Sequence, residues 1–186
     1  MNLRAFATRR ILAAGAVACA AVLVPATALA ASAASASAVH RAAPGRVTTS
    51  ACTTSGLDVW LNTQGTGAAG TIYYDLEFTN LSGSSCTLYG FPGVSAVSLA
   101  GTQLGSAASR NHSFTPHLVT LANGATVTAI LGIAQTTLFP AAQCQPVTAA
   151  GLRVYPPGQT APKIVPYPFS ACSNSGPAYL SVMTVR

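Results

Sequence analysis

Ile72, Tyr74, Leu76 and Phe78 alternate residue by residue with Tyr73, Asp75, Glu77 and Thr79. A period of two places the apolar set on one side of an extended strand and the polar set on the other, a separation that 3.6 residues per helical turn cannot produce. The same phase recurs where Leu57, Val59 and Leu61 alternate with Asp58, Trp60 and Asn62, and where Val127, Ala129, Leu131 and Ile133 share one face. Shorter strands are expected over residues 86–91, 94–99, 118–121, 152–155 and 179–185, with 164–165 as an edge piece because prolines surround it. Asn80-Leu81-Ser82-Gly83-Ser84-Ser85, Pro92-Gly93, Ala122-Asn123-Gly124 and Pro156-Pro157-Gly158 punctuate these runs, and Pro92-Gly93 suits a turn with positive φ at the glycine. About seven to nine short strands separated by turns predict an all-β fold, an immunoglobulin-like antiparallel β-sandwich over residues 51–186.

The scarcity of charge points the same way. Only 6% of the residues are Asp, Glu, Lys or Arg, too few to supply the polar faces of long surface helices. An all-β domain can instead present Ser, Thr, Gly and Asn to water. The formal charge of +6 overstates the cationic character, because Arg4, Arg9 and Arg10 lie in an N-terminal segment with its own explanation. Beyond residue 30 the chain carries six basic side chains (Arg41, Arg46, Arg110, Arg153, Lys163 and Arg186) against three acidic ones, a net +3. These are scattered rather than arranged to track a phosphate backbone, so nucleic acid is not an expected partner.

The N-terminal segment has the order of an export signal. Three arginines in residues 1–10 are followed by an apolar run over 11–24, then by Pro25 and Ala26-Thr27-Ala28-Leu29-Ala30. Small residues at Ala28 and Ala30 predict a signal peptide over 1–30, cleaved between Ala30 and Ala31. The apolar run is short of the roughly 20 residues that span a bilayer, and no second run follows, so no transmembrane segment is expected in the mature chain. Thr8-Arg9-Arg10-Ile11-Leu12 resembles a twin-arginine start, but paired arginines are equally ordinary in the general secretory route. Cys19 follows Ala16-Val17-Ala18, loosely like a lipoprotein box, with Ala16 where leucine is usual. Its position inside the apolar run assigns it to the discarded signal. Residues 31–50 are Ala/Ser/Thr-rich and cannot bury enough apolar surface to offset ordering; they read as a flexible tether.

Removal of the signal leaves Cys52, Cys86, Cys144 and Cys172. An even number in an exported chain predicts two disulfides, with three pairings possible. Cys52–Cys86 with Cys144–Cys172 is favoured, since each bridge then staples neighbouring stretches without crossing the other. No two cysteines have the close spacing of a zinc site.

Catalytic machinery is hard to assemble from what remains. Asp58, Asp75 and Glu77 are the only acidic residues. Asp75 and Glu77 lie two apart on one strand, side by side at about 7 Å, near the separation of paired glycosidase carboxylates. Such pairs normally face each other across a cleft, so a solvated strand face is the expectation. His40 falls in the tether, while His112 and His117 fall in a polar stretch. Neither a copper-type His/His/Cys/Met pattern nor a G-x-S-x-G elbow is present, and no metal or cofactor is expected. Asn80-Leu81-Ser82 and Asn111-His112-Ser113 match the glycosylation sequon, a weak pattern by itself. Trp60, Tyr73, Tyr89 and Phe91 are the notable aromatics. They are expected to pack the sandwich, with Trp60, on the polar phase of its strand, the exception. Exposed, such residues would make a carbohydrate- or peptide-binding platform.

Leu76-Glu77-Phe78-Thr79-Asn80, then Ser82-Gly83, then Cys86-Thr87-Leu88-Tyr89-Gly90-Phe91-Pro92-Gly93-Val94 resembles the hallmark of the DUF4232 family of actinobacterial exported proteins. The Leu121-Ala122-Asn123-Gly124-Ala125 turn, the stretch ending in Pro156-Pro157-Gly158 and the four cysteine positions are similar too. The resemblance covers nearly the whole mature domain. It implies a secreted or lipid-anchored β-sandwich of unknown function and supplies no catalytic residues. The combined expectation is a secreted, non-enzymatic module that binds a ligand or partner at the cell envelope. Two alternatives are a small carbohydrate-active hydrolase using Asp75 or Glu77, and a purely structural wall-associated protein.

Overall fold

In the computed structural model, residues 48–186 are described. The signal with its Ala30–Ala31 cleavage site, Cys19, His40 and most of the tether therefore lie outside the described residues. Eleven strands follow in order: β1 (Leu57–Ala68), β2 (Thr71–Asn80), β3 (Cys86–Tyr89), β4 (Gly93–Val97), β5 (Gln103–Leu104), β6 (Ser109–Arg110), β7 (Leu118–Leu121), β8 (Thr126–Ala134), β9 (Pro146–Tyr155), β10 (Lys163–Cys172) and β11 (Leu180–Val182). Two 3-10 turns, Thr54–Gly56 and Thr136–Leu138, and one helical turn, α1 (Ala141–Cys144), complete the set. The first sheet has the order β1-β2-β8-β11-β6 and the second β10-β9-β4-β5, while β3 and β7 pair separately. All pairings between these strands are antiparallel except that of β11 with β6.

The period-two pattern decides which side of each strand turns inward. Register places Val59 opposite Phe78 and Phe78 opposite Val127, then Leu61 opposite Leu76 and Leu76 opposite Ala129. These rows meet Val94, Ala96, Leu152 and Val154 of the second sheet in one buried cluster, which also takes Leu88 and Leu121 from the β3–β7 pair. Burial of apolar side chains from both sheets makes this a sandwich, with the small pair as an additional, third sheet that the sequence did not announce.

Three local expectations need correction. First, β9 and β10 are each far longer than the pieces expected at 152–155 and 164–165. Pro146 is the first residue of β9, while Pro166 and Pro168 are tolerated because β10 is an edge strand with a register shift between Pro166 and Phe169. Second, Gly90, at φ 94°, takes the positive-φ conformation rather than Gly93, which begins β4 opposite Tyr155. Third, the last strand ends at Val182, since Thr184 turns its hydroxyl to the carbonyl of Gly90, 3.0 Å away. Pairing with β8 resumes beyond this kink, the Arg186 amide donating to the Thr128 carbonyl at 3.0 Å. The segment before Cys52 is joined to β3: the Thr87 amide donates to the Ser50 carbonyl at 2.9 Å, and Ala51 bridges Thr87.

Disulfides join Cys52 to Cys86 and Cys144 to Cys172, the non-crossing pairing. The first ties the entry segment to β3, and the second closes the base of the β9–β10 hairpin. All four cysteines are buried.

Tyr179 adds a pH dependence to the fold. Only 1% of it is exposed, and its hydroxyl donates to the Leu104 carbonyl at 3.0 Å. Burial pushes its pKa up to about 12, above the value of about 10 for a phenol in water. The folded state thus prefers the neutral phenol. That stabilisation is fully present below about pH 10 and is lost as pH rises through about 12. Melting temperature should hold steady from pH 7 to 9 and fall between pH 10 and 12, with a shallower fall in Tyr179→Phe. An alkaline limb unchanged by that substitution would assign the loss to other groups.

Candidate functional site

The outward face of the first sheet gathers the polar phase of its strands. Register sets Asp58 opposite Thr79, Trp60 opposite Glu77 and Asn62 opposite Asp75. On the other side of β2, Thr79 faces Thr126, Glu77 faces Thr128, Asp75 faces Ile130 and Tyr73 faces Gly132. All three carboxylates of the chain therefore lie on this one face. Asp58 and Asp75 are exposed, while Glu77 is half-buried and accepts a hydrogen bond from the Thr128 hydroxyl at 2.9 Å.

Trp60 is 43% exposed. Its indole nitrogen donates to the Thr79 hydroxyl at 3.4 Å, and that hydroxyl is 2.9 Å from the hydroxyl of Thr126. Aligned side chains continue across the sheet. Thr128 pairs through its backbone with Arg186, whose guanidinium lies 4.5 Å from the centre of the Phe114 ring. One row thus runs Trp60, Glu77, Thr128, Arg186, with Phe114 beyond. At about 4.8 Å per strand the first and fourth positions are roughly 14 Å apart. The row places aromatic rings at both ends and hydrogen-bonding groups of both charges between them.

The other expected residues distribute differently. Tyr73 is half-buried on the same face, its ring close over Gly132, where an added Cβ would come within 3.1 Å. Tyr89 was expected to pack inside but is 60% exposed on β3, opposite Leu118 of β7, which is equally exposed. The reason lies in the third sheet: Leu88 takes the inward position, and its neighbour must point out. Phe91 packs against His112 with ring centres 4.8 Å apart, under the guanidinium of Arg110. His117 is exposed beside Leu118. The four aromatics therefore do not form one platform; Trp60 and Tyr73 share the sheet face, and Tyr89 and Phe91 lie elsewhere. Arg186 and Phe114 are the members sequence reading missed. Neither belongs to an alternating run, and only the bulged pairing after Val182 brings them in.

Among the described residues, no three His, Cys, Asp or Glu side chains come together in a way that could hold a metal ion. No described helix is long and apolar enough to cross a membrane. The DUF4232 family, described as a domain of unknown function, matches residues 52–186. The chain belongs to the DUF4232 family. The matched region begins at the first disulfide cysteine and takes in all three sheets, so both the sandwich and its polar face are parts of the DUF4232 domain. No curated protein and no solved structure matches the chain.

Proposed function

We propose that this DUF4232 domain is a non-enzymatic binding module, exported and working at the cell envelope, and that the outward face of its first sheet takes a glycan. The observation that carries the reading is Trp60, the only tryptophan of the chain, held half-exposed between carboxylates and hydroxyls on an open sheet face. An indole offers a flat apolar surface to the C–H face of a sugar ring, while Asp58, Asn62, Glu77 and Arg186 offer partners for its hydroxyls. Phe114 at the far end of the row provides a second stacking surface. The N-terminal signal pattern supports export, and the Ala/Ser/Thr-rich stretch after it would give the module reach. Asp75 and Glu77 stand side by side on that face rather than across a cleft, which argues against the hydrolase alternative.

Because Trp60 is alone, its fluorescence reports on the face directly. Titration with soluble peptidoglycan glycan strands should shift its emission to the blue and saturate. Trp60→Ala should lower retention on insoluble peptidoglycan at least about tenfold, as loss of a central aromatic anchor does. The variant should fold normally, since its side chain lies outside the core. Emission and retention that ignore the glycan would remove the reading. Shortening of the strands that Glu77→Gln abolishes would replace it with the hydrolase.

A further inference from the structure

The sandwich is not filled at the end where β2 begins and β8 finishes. A cavity of about 370 Å³ lies there, lined by Ile72 and Tyr74 of β2, Ile133 and Ala134 of β8, the Gln135–Thr137 turn, and Phe169 and Ser170 of β10. β10 shifts register between Pro166 and Phe169, and the Thr136–Leu138 turn follows β8 at the cavity wall. From the other side the backbone at Gly65 presses on Ile72 and Tyr74 so closely that an added Cβ would sit 2.6 Å from each.

Three aromatic rings form a ladder along this end. Tyr74 and Tyr167 meet edge to face with centres 5.3 Å apart, and Tyr167 stacks on Phe169 at 5.9 Å. No lining residue carries a charge. Two hydroxyl pairs accompany the apolar wall: Tyr167 donates to the Tyr74 hydroxyl at 2.6 Å, and the Thr136 and Ser170 hydroxyls are 2.9 Å apart. Each pair holds two protons and uses one, so a proton remains for an acceptor brought from outside. Desolvation, reinforced by the bond to Tyr74, raises the Tyr167 pKa to about 12, so this phenol stays protonated at neutral pH.

We infer that this cavity is a second binding site, separate from the sheet face, for a small neutral ring-bearing molecule with a carbonyl or ether oxygen. Its volume is at the lower end of small-molecule sites and corresponds to roughly a dozen water-sized atoms. A ring extends the aromatic ladder in a geometry that aromatic pairs prefer, the oxygen takes a spare hydroxyl proton, and a charged ligand would give up hydration for hydroxyls that carry no counter-charge.

The test uses acetophenone as probe, followed by amide shifts in nuclear magnetic resonance spectra of the purified protein. Saturable shifts are expected at Ala134, Thr136 and Ser170. Ethylbenzene, which lacks the oxygen, should bind about fivefold more weakly, the size of one net hydrogen bond. Benzoate should bind at least about tenfold more weakly, because its charge is partly desolvated with no cation among the lining residues. Ala134→Phe should abolish the shifts while leaving retention on peptidoglycan unchanged, which separates this site from the glycan reading. Should that variant fail to fold, Thr137→Phe at the exposed rim fills the mouth instead. Absent saturation, benzoate or 2-octanone binding as tightly as acetophenone, or undiminished binding in a folded filled variant would overturn the proposal.

Discussion

Reducing both disulfides is expected to unfold the domain at 37 °C. Cys52 and Cys86 are 34 residues apart and Cys144 and Cys172 are 28 apart. Loops of these lengths correspond to slightly under ~4 kcal/mol of denatured-state entropy for each bridge. Together they account for about 7 kcal/mol, against a total stability of about 5–15 kcal/mol for a typical domain. The two bridges close different parts of the chain, one around β1 and β2 and the other around the β9–β10 hairpin, so their effects should add. Replacing either pair with serine should lower the urea midpoint by about 2 M, given a slope of about 2 kcal/mol per molar. Replacing both should abolish the cooperative transition near body temperature. A midpoint that moves by less than about 0.5 M in either paired variant would show that the native contacts alone suffice.

Asn80→Ala should be nearly as damaging as losing one bridge, although the residue stands where a surface loop begins. Asn80 is fully buried. Its side-chain nitrogen donates to the carbonyls of Ser84 at 2.8 Å and Leu121 at 3.0 Å, and its side-chain oxygen accepts from the amide and hydroxyl of Ser82 at 3.0 and 2.7 Å. Its backbone also bonds Ala125 and Gly124, so one residue locks the 80–85 loop to the 122–125 turn. Four side-chain hydrogen bonds at about 1 kcal/mol net each, with a carbonyl stranded in the interior, give a loss of about 3–4 kcal/mol. Melting temperature should fall by roughly 10–15 °C, and amide exchange at Ser82 and Gly83 should accelerate. A drop below about 3 °C would mean that water replaces the lost partners. The Asn80-Leu81-Ser82 sequence that resembles a glycosylation site is therefore a turn lock. Asn111-His112-Ser113 repeats the local part of that lock on the surface, with Ser113 donating its amide and hydroxyl to the Asn111 side chain at 3.0 and 2.6 Å.

These residues also mark how far the fold could be read in advance. Leu57 to Leu61 and Ile72 to Phe78 announced themselves because a half-buried antiparallel strand writes its burial directly into alternation. The cysteine pairing was legible too, since each bridge spans neighbouring elements. The β9–β10 hairpin was obscured because Pro146, Pro166 and Pro168 argue locally against a ladder, and only an edge position excuses them. Two-residue strands such as β5 and β6 carry no periodicity. Trp60 was expected outside from its phase, and it is there; Tyr89 was misplaced because its exposure depends on a third sheet that no single strand encodes. Phe114 and Arg186 join Trp60 only through the bulged end of the chain. The cavity was least visible, because Tyr74, Ala134 and Phe169 lie far apart in sequence and share no pattern.

The prolines of β10 have a consequence for crowding. Soluble domains commonly resist association through repulsion between charges, a defence nearly closed to a chain with 6% charged residues. A sheet edge with a full row of free amides would then invite a second molecule to add a strand. Pro166 and Pro168 offer no amide, and the register shift between Pro166 and Phe169 breaks the edge of β10 midway. At the opposite sheet, β1 is interrupted by its own irregularity between Asn62 and Thr66. The rims formed by β10 and β1 thus carry backbone breaks that oppose strand addition, and replacing Pro166 and Pro168 with threonine should be read first in light scattering rather than in melting temperature.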